Sequence, residues 1–230
     1  MALEPDIKKA DRVSVRKAQV LIVDDHPLVR FGLRQLISDE TSLEICGEAE
    51  SPAQALDLIA SLNPDIVVVD ISLKDGNGIA LIKDAKARFE SLKMIVYSMH
   101  DEFLFAERAL RAGALGYVNK RKASESIVVA ILQVLGGKIV VSERVTERML
   151  SRVVASGQQP GIAPIASLSD RELEVFELLG QGLTMGQIAE HLHRSIKTIE
   201  TYRERIKRKL SLDAPNELIR RATQWVVDGD

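Results

Sequence analysis

Three aspartates, a serine and a lysine stand where they could act on one ligand. Asp24 and Asp25 follow the apolar run Val20-Leu21-Ile22-Val23, Asp70 follows Ile66-Val67-Val68-Val69, Ser98 closes the run from Lys93, and Lys120 follows Gly116-Tyr117-Val118. Three carboxylates at one place repel one another unless a cation joins them, and an oxygen-rich set suits a hard divalent ion such as Mg²⁺. A lysine and a hydroxyl beside them suit a tetrahedral anion with excess negative charge. The chemistry implied is phosphoryl transfer to a carboxylate, with metal and lysine neutralising charge on the transferring group. Taken singly, each residue has a blander role: an aspartate at a strand end serves a turn or cap, and a lone lysine is a surface charge. Their joint placement at the ends of successive strands favours a site.

That placement requires particular elements. Short apolar runs at 20–23, 43–46, 66–69, 93–98 and 116–118 alternate with helical patterns near 28–38, 52–62, 79–89, 102–112 and 124–135. Such alternation predicts a parallel five-stranded sheet covered on both faces, a flavodoxin-like doubly wound α/β domain. Ligands of such sheets bind beyond the carboxyl ends of the strands. Residues 1–17 read as a loose charged tail and 18–138 as the α/β domain. Residues 139–165 read as a linker, with an amphipathic helix at 142–154 and a Gly- and Pro-containing stretch at 155–164. Residues 166–230 carry only helical periodicity.

The chain of 230 residues has a net charge of −2, so any nucleic-acid surface must be local. Cys46 is the only cysteine, which excludes an internal disulfide. The first seventeen residues lack the apolar core of a secretory signal, and no apolar run approaches the roughly 20 residues that span a bilayer. These features predict a cytoplasmic protein with no membrane partner.

The set Val23-Asp24-Asp25-His26, Val69-Asp70-Ile71-Ser72-Leu73 with Gly78, Tyr97-Ser98-Met99-His100 and Gly116-Tyr117-Val118-Asn119-Lys120 resembles the receiver domain of two-component response regulators. The resemblance implies that Asp70 accepts phosphate from a partner histidine kinase. It implies that Asp24, Asp25, Asp70 and the backbone carbonyl of Ser72 hold Mg²⁺, that Ser98 contacts the phosphoryl group, and that Lys120 pairs with it. Tyr117 is then the aromatic that changes rotamer with Ser98. Two positions depart from the pattern: Lys74 and Arg121 stand where many receivers have proline. His26 is set aside as a metal ligand because the site is oxygen-rich, and the roles of Met99, His100 and Arg121 stay open.

In the last third, Ser169-Asp170-Arg171-Glu172 is a capping box, and Thr184-Met185-Gly186-Gln187 repeats the pattern. Ser195 caps a third helix, predicted over 197–210. Two helices joined by a short turn are a helix-turn-helix signature. Between 194 and 209 stand seven basic residues and two glutamates, a local net charge of +5 suited to phosphates. The stretches Leu168 to Val175, Gln187-Ile188-Ala189 and Lys197 to Tyr202 resemble the LuxR-type helix-turn-helix; joined to a receiver, the chain is similar to the NarL/FixJ class of transcription factors. That resemblance implies a small all-α domain of four helices, whose last helix pairs two copies on double-stranded DNA. By position it places Glu200, Thr201 and Glu204 where bases are read; the basic flanks Lys197, Arg205 and Lys209 are expected on phosphates, with Thr198 and Tyr202 beside them at the DNA. Glu200 and Glu204 are unusual there: either they accept from bases, or they pair with a neighbouring arginine such as Arg208.

The reading is therefore a phosphorylation-controlled, DNA-binding response regulator, homodimeric when phosphorylated or DNA-bound, and not an enzyme. Two other classes share part of this pattern. A phosphatase-type enzyme would share the aspartyl-phosphate chemistry, but no cap domain or substrate pocket is visible. A receiver-based adaptor acting through protein contacts would leave the basic helix without a purpose.

Overall fold

The β-branched run Ile66-Val67-Val68-Val69 forms the central strand of a five-stranded sheet in the computed structural model, which describes residues 16–121, 125–154, 165, 167–212, 214 and 216–229. The elements of the first domain are β1 (Ala18–Val23), α1 (Pro27–Ser38), β2 (Leu43–Ala49), α2 (Pro52–Leu62), β3 (Ile66–Val69), β4 (Ser72–Leu73), β5 (Gly76–Asn77), α3 (Gly78–Arg88), β6 (Lys93–Ser98), α4 (Glu102–Ala112), β7 (Gly116–Asn119) and α5 (Glu125–Leu135). The sheet order β2-β1-β3-β6-β7 is parallel throughout. It is the flavodoxin-like order, whose switch point lies between the strands here called β1 and β3. β4 and β5 make a separate two-stranded antiparallel hairpin.

Although the strands are buried on both faces, their side chains still alternate. Leu21, Val23, Val67, Val69, Met94 and Val96 face α2, α3 and α4, while Val20, Ile22, Ile66, Val68 and Ile95 face α1 and α5. β2 runs three residues beyond the apolar stretch that announced it. Gly47, Glu48 and Ala49 pair with Leu21, Ile22 and Val23 after a register shift, and an edge strand tolerates this polar continuation because most of it is only half buried. Past residue 138 the chain still belongs to the sheet edge, since Val140 bridges Gly116 and accepts from Tyr117 N at 2.8 Å. α6 (Glu143–Val154) then packs on α4, with the Arg144 and Arg148 guanidinium carbons 4.9 and 5.4 Å from the Phe103 ring centre.

The second domain holds α7 (Asp170–Gly180), α8 (Met185–His191), α9 (Ile196–Lys209) and α10 (Glu217–Gly229). Both capping boxes form, Ser169 with Glu172 and Thr184 with Gln187, and Gly182 takes a positive φ of 84° just after α7. α7 lies so close to α10 that a Cβ on Gly180 would stand 2.5 Å from the Ala222 carbonyl oxygen, so only glycine fits. Every residue of α7 from Glu172 to Gly180 is buried, including three glutamates. One face packs on α9 and α10, and the other lies against the first domain.

No helix among the described residues is long and apolar enough to cross a membrane. The predicted tail residues 1–15, the helix start at Ser124 and the linker stretch 155–164 lie outside the described residues. All peptides of the described residues are trans, including the one before Arg121.

The acid pocket and the basic helix

β1 and β3 end side by side, so Asp24, Asp25 and Asp70 emerge together at the switch point. Ligating atoms of Asp24, Asp25, His26 and Asp70 all lie within 4.8 Å of one another. Lys120 reaches in from the end of β7, and its Nζ donates to Asp24 Oδ2 and Asp70 Oδ2, each at 2.6 Å. Asp70 Oδ1 accepts from Ile71 N at 2.7 Å, and Asp24 Oδ1 from His26 N at 2.8 Å. Burial, then the charge of Asp70, raises the Asp24 pKa despite Lys120. Burial opposes the charge on Lys120, but Asp70 and Asp24 outweigh it and hold the ammonium above its ordinary pKa.

The pocket fits a cation. Asp25 Oδ1 is buried, and although His26 Nδ1 is 2.8 Å away, no donor is aligned to satisfy it. An unpaired carboxylate oxygen buried beside two more carboxylates is costly unless a cation neutralises it. Oxygen atoms dominate the set, as a hard ion requires. His26 stands in the same cluster, although a nitrogen ligand suits a hard ion less well than oxygen.

The hairpin β4–β5 turns the chain back under the pocket. A Cβ on Gly78 would fall 2.0 Å from the Asp70 carbonyl oxygen, so this position admits only glycine. Ser98 is buried at the end of β6, and its Oγ lies 3.5 Å from His100 N. Tyr117 is already inside, 2 % exposed, with its hydroxyl donating to the His100 carbonyl at 2.9 Å. Burial raises its pKa well above the ordinary phenol value. Met99 is half exposed, whereas His100 is buried.

His100 leads to a feature the sequence did not disclose. Its Nε2 is 2.8 Å from Ser72 Oγ, and its Nδ1 forms a very short contact with Glu177 of α7. Glu177 also accepts from Asp101 N at 2.8 Å. Asn77 Nδ2 donates to Glu174 at 2.5 Å, and Arg171 pairs with the same carboxylate at 2.6 Å. Asp170 pairs with Arg108 at 3.0 Å and Lys83 at 3.3 Å. Burial alone would lower the His100 pKa; the Glu177 charge and hydrogen bond outweigh it and push it up to about 9. Burial raises the pKa of Glu174 against Arg171 and His100. At the other side of the pocket, His193 Nε2 lies 3.3 Å from Asp25 Oδ2. The helical domain thus docks on the loops that form the pocket.

On α9, Lys197, Glu200, Thr201, Glu204, Arg205 and Arg208 form an exposed face while Ile199 and Ile206 are buried. Thr198 Oγ1 is tied to Ser195 Oγ at 2.8 Å, and Thr201 Oγ1 donates back to the Lys197 carbonyl at 2.9 Å. Tyr202 is half buried against the domain core. Lys209 is committed elsewhere: its Nζ donates to Glu172 at 2.6 Å and to the Ser167 carbonyl at 3.1 Å. Glu204 pairs with Lys207 at 3.5 Å, three residues on, rather than with Arg208 four residues on.

An acid pocket at the switch point of a five-stranded parallel sheet, followed by a capped helix-turn-helix, defines a receiver joined to a DNA-binding domain. Residues 20–132 match the response regulator receiver domain, and residues 166–222 match the bacterial regulatory proteins of the luxR family. The chain is 31% identical over 195 residues to the DNA-binding transcriptional activator DevR/DosR of Mycobacterium tuberculosis, covering 85% of this chain and 89% of that one. It is 32% identical over 200 residues to the response regulator GacA of Pseudomonas aeruginosa, covering 87% and 92%. Among solved structures, RcsB of Salmonella enterica serovar Typhimurium, bound to promoter rprA in the presence of phosphomimetic BeF3⁻, superposes with a TM-score of 0.59 at 29% identity, covering 90% of this chain and 99% of that one. The chain belongs to the response regulator family, in the NarL/FixJ class that joins a receiver to a LuxR-type helix-turn-helix. It is a DNA-binding transcriptional regulator, not an enzyme of the phosphatase type.

Proposed function

We propose that this regulator is switched by phosphorylation of Asp70 from a partner histidine kinase, in the cytoplasm. The carrying observation is the double contact of Lys120 Nζ with Asp24 and Asp70, beside the unsatisfied Asp25 Oδ1. Mg²⁺ held by Asp24, Asp25, Asp70 and the Ser72 carbonyl would supply charge neutralisation for the transferring phosphoryl group. A carboxylate oxygen of Asp70 bonds to phosphorus as the donor's P–N bond breaks. Lys120 stays within reach of the new anion, and Ser98, at the end of β6, supplies a hydroxyl to it. Tyr117, whose hydroxyl donates to the His100 carbonyl, would follow Ser98 as the switch aromatic.

The domain plan behind this reading is a receiver over 18–138, a linker over 139–165 and a DNA-binding domain over 166–230. Two copies would pair through α10, where Ile219 and Val227 are 44% and 65% exposed. α9 would enter the major groove with Lys197, Thr198, Glu200, Thr201, Tyr202, Glu204 and Arg205 near DNA. Lys209 joins the phosphate contacts only on leaving Glu172.

Incubation with acetyl phosphate and Mg²⁺ should add one phosphoryl group, read by mass spectrometry. Asp70→Asn should take none, and Asp25→Ala should lose both metal affinity and labelling. Full labelling of Asp70→Asn, or a protein that binds no DNA in a gel-shift assay and acts as an adaptor, would refute the reading.

A further inference from the structure

His100 gathers contacts from the loops that flank the acid pocket and one from the DNA-binding domain. Its backbone N faces Ser98 Oγ at 3.5 Å, and its carbonyl accepts from Tyr117 OH and Asn119 Nδ2, both at 2.9 Å. Its Nε2 meets Ser72 Oγ at 2.8 Å, and its ring packs on Phe105 with centres 4.8 Å apart. The one remaining polar position, Nδ1, is taken by Glu177 of the DNA-binding domain. No other residue of the described chain joins Ser72, Ser98 and Tyr117 directly to α7.

We infer that His100 is the positioning residue through which the state of the acid pocket sets whether the DNA-binding domain stays docked, its ring shared between the pocket loop and Glu177. The inference rests on the reading of Asp70 as phosphoacceptor. A phosphoryl group on Asp70 adds negative charge beside Ser72 and draws the Ser98 hydroxyl, so two of the groups holding His100 change together. Glu177 then competes with a stronger anion for the same ring. Once that contact is lost, Glu177 is a buried carboxylate whose remaining partners from the first domain reduce to Asp101 N. Burying a charge after its partner is removed is strongly unfavourable, so undocking follows.

The exposed face of α9 gives the coupling a particular sense. Lys197, Glu200, Thr201, Glu204 and Arg205 are open to solvent while the domain is docked. Docking therefore covers the pocket rather than the base-reading face. Coupling between two sites is reciprocal, so a domain released by phosphate must itself weaken anion binding at Asp70 by the same factor when docked.

The test uses the full chain, with beryllofluoride and Mg²⁺ as the probe for the phosphorylated state. Overall size is read by small-angle scattering, and probe affinity by titration, for the wild type, His100→Gln, Glu177→Gln and the double variant. The wild type should expand on adding the probe. Glu177→Gln and His100→Gln should be expanded without it, and the double variant no further than either alone, because both remove one shared interaction. Glu177→Gln should also bind the probe at least about fivefold more tightly. A compact His100→Gln that still expands with the probe as the wild type does would overturn the inference alone. So would a Glu177→Gln of unchanged size and unchanged probe affinity, a result independent of whether His100→Gln folds. A wild type that takes no phosphoryl group on Asp70 would instead overturn the receiver reading beneath it.

Discussion

His193, in the turn between α8 and α9, places its Nε2 3.3 Å from Oδ2 of Asp25 in the acid pocket. Its backbone holds a positive φ of 50°, an uncommon conformation for a residue with a Cβ. A turn of the DNA-binding domain therefore occupies one carboxylate that a cation would need. Half-exposed pairs of this kind contribute up to about 1 kcal/mol. His193→Ala should tighten divalent-ion binding at the pocket by up to about fivefold, measured by calorimetry. Weaker binding in that variant would show that His193 supports the ion instead of competing with it.

The Asp70 loop and α3 approach too closely for any side chain at Gly78. Gly78→Ala would drive a Cβ to 2.0 Å from the Asp70 carbonyl oxygen, and backbone cannot swing aside as a flexible side chain would. Overpacking of this sort costs about 1–3 kcal/mol. The variant should lose that much in urea unfolding and should take up phosphate more slowly than the wild type. Unchanged stability and labelling would mean that the loop relaxes freely.

Lys209 and Glu172 join the C-terminus of α9 to the N-terminus of α7. Burial opposes ionisation of Glu172, but the Lys209 hydrogen bond and the Ser169 bonds prevail and hold its pKa below the ordinary value. A glutamate held low in the folded state contributes stability that is complete above its unfolded pKa and is lost as pH falls through the folded one. The helical domain should therefore melt at lower temperature as pH drops below the ordinary glutamate range. Lys209→Met should flatten that dependence and cost about 1–2 kcal/mol at neutral pH, less than a fully buried pair because Lys209 is 38% exposed. Calorimetry across the acid range decides; a variant as stable and as acid-sensitive as the wild type would free Lys209 for DNA.

The pocket was legible in the sequence because each member follows an apolar run directly, so finding the strands also found the residues at their ends. Gly78 belonged to the same motif, and Ser169, Thr184 and Ser195 announced their helices through local caps. The docking surface had no comparable signal. Glu174 and Glu177 stand on a helix that announces itself only by its cap, and their partners Asn77 and His100 lie 97 and 77 residues away. The Lys209–Glu172 contact was hidden for a related reason: Lys209 continues a basic run suited to phosphates, and its position at the end of α9 also brings it to a carboxylate fixed by a capping box. Local pattern reports the element and its exposed face; which exposed face another domain covers is a property of the tertiary arrangement.

The two glutamates of α9 now separate. Glu204 has Lys207 at 3.5 Å, an exposed pair of small energy, while among the described residues no ion pair includes Glu200. An ionised carboxylate only accepts, and the major-groove donor available to it at a C·G pair is cytosine N4. Glu200 lies on the exposed face with Lys197 and Thr201 and has no cation to satisfy it. Phosphates would repel it on DNA, and a base donor would compensate. Selection of bound DNA from a random pool should show one half-site position preferring C, with about 1–3 kcal/mol of discrimination. Glu200→Ala should relax that position alone and leave the others intact. Arg205→Ala should weaken all sequences alike and reduce the salt slope by about one. If Glu200→Ala changes only overall affinity, with every position keeping its preference, the carboxylate reads no base and merely tunes the charge of the helix.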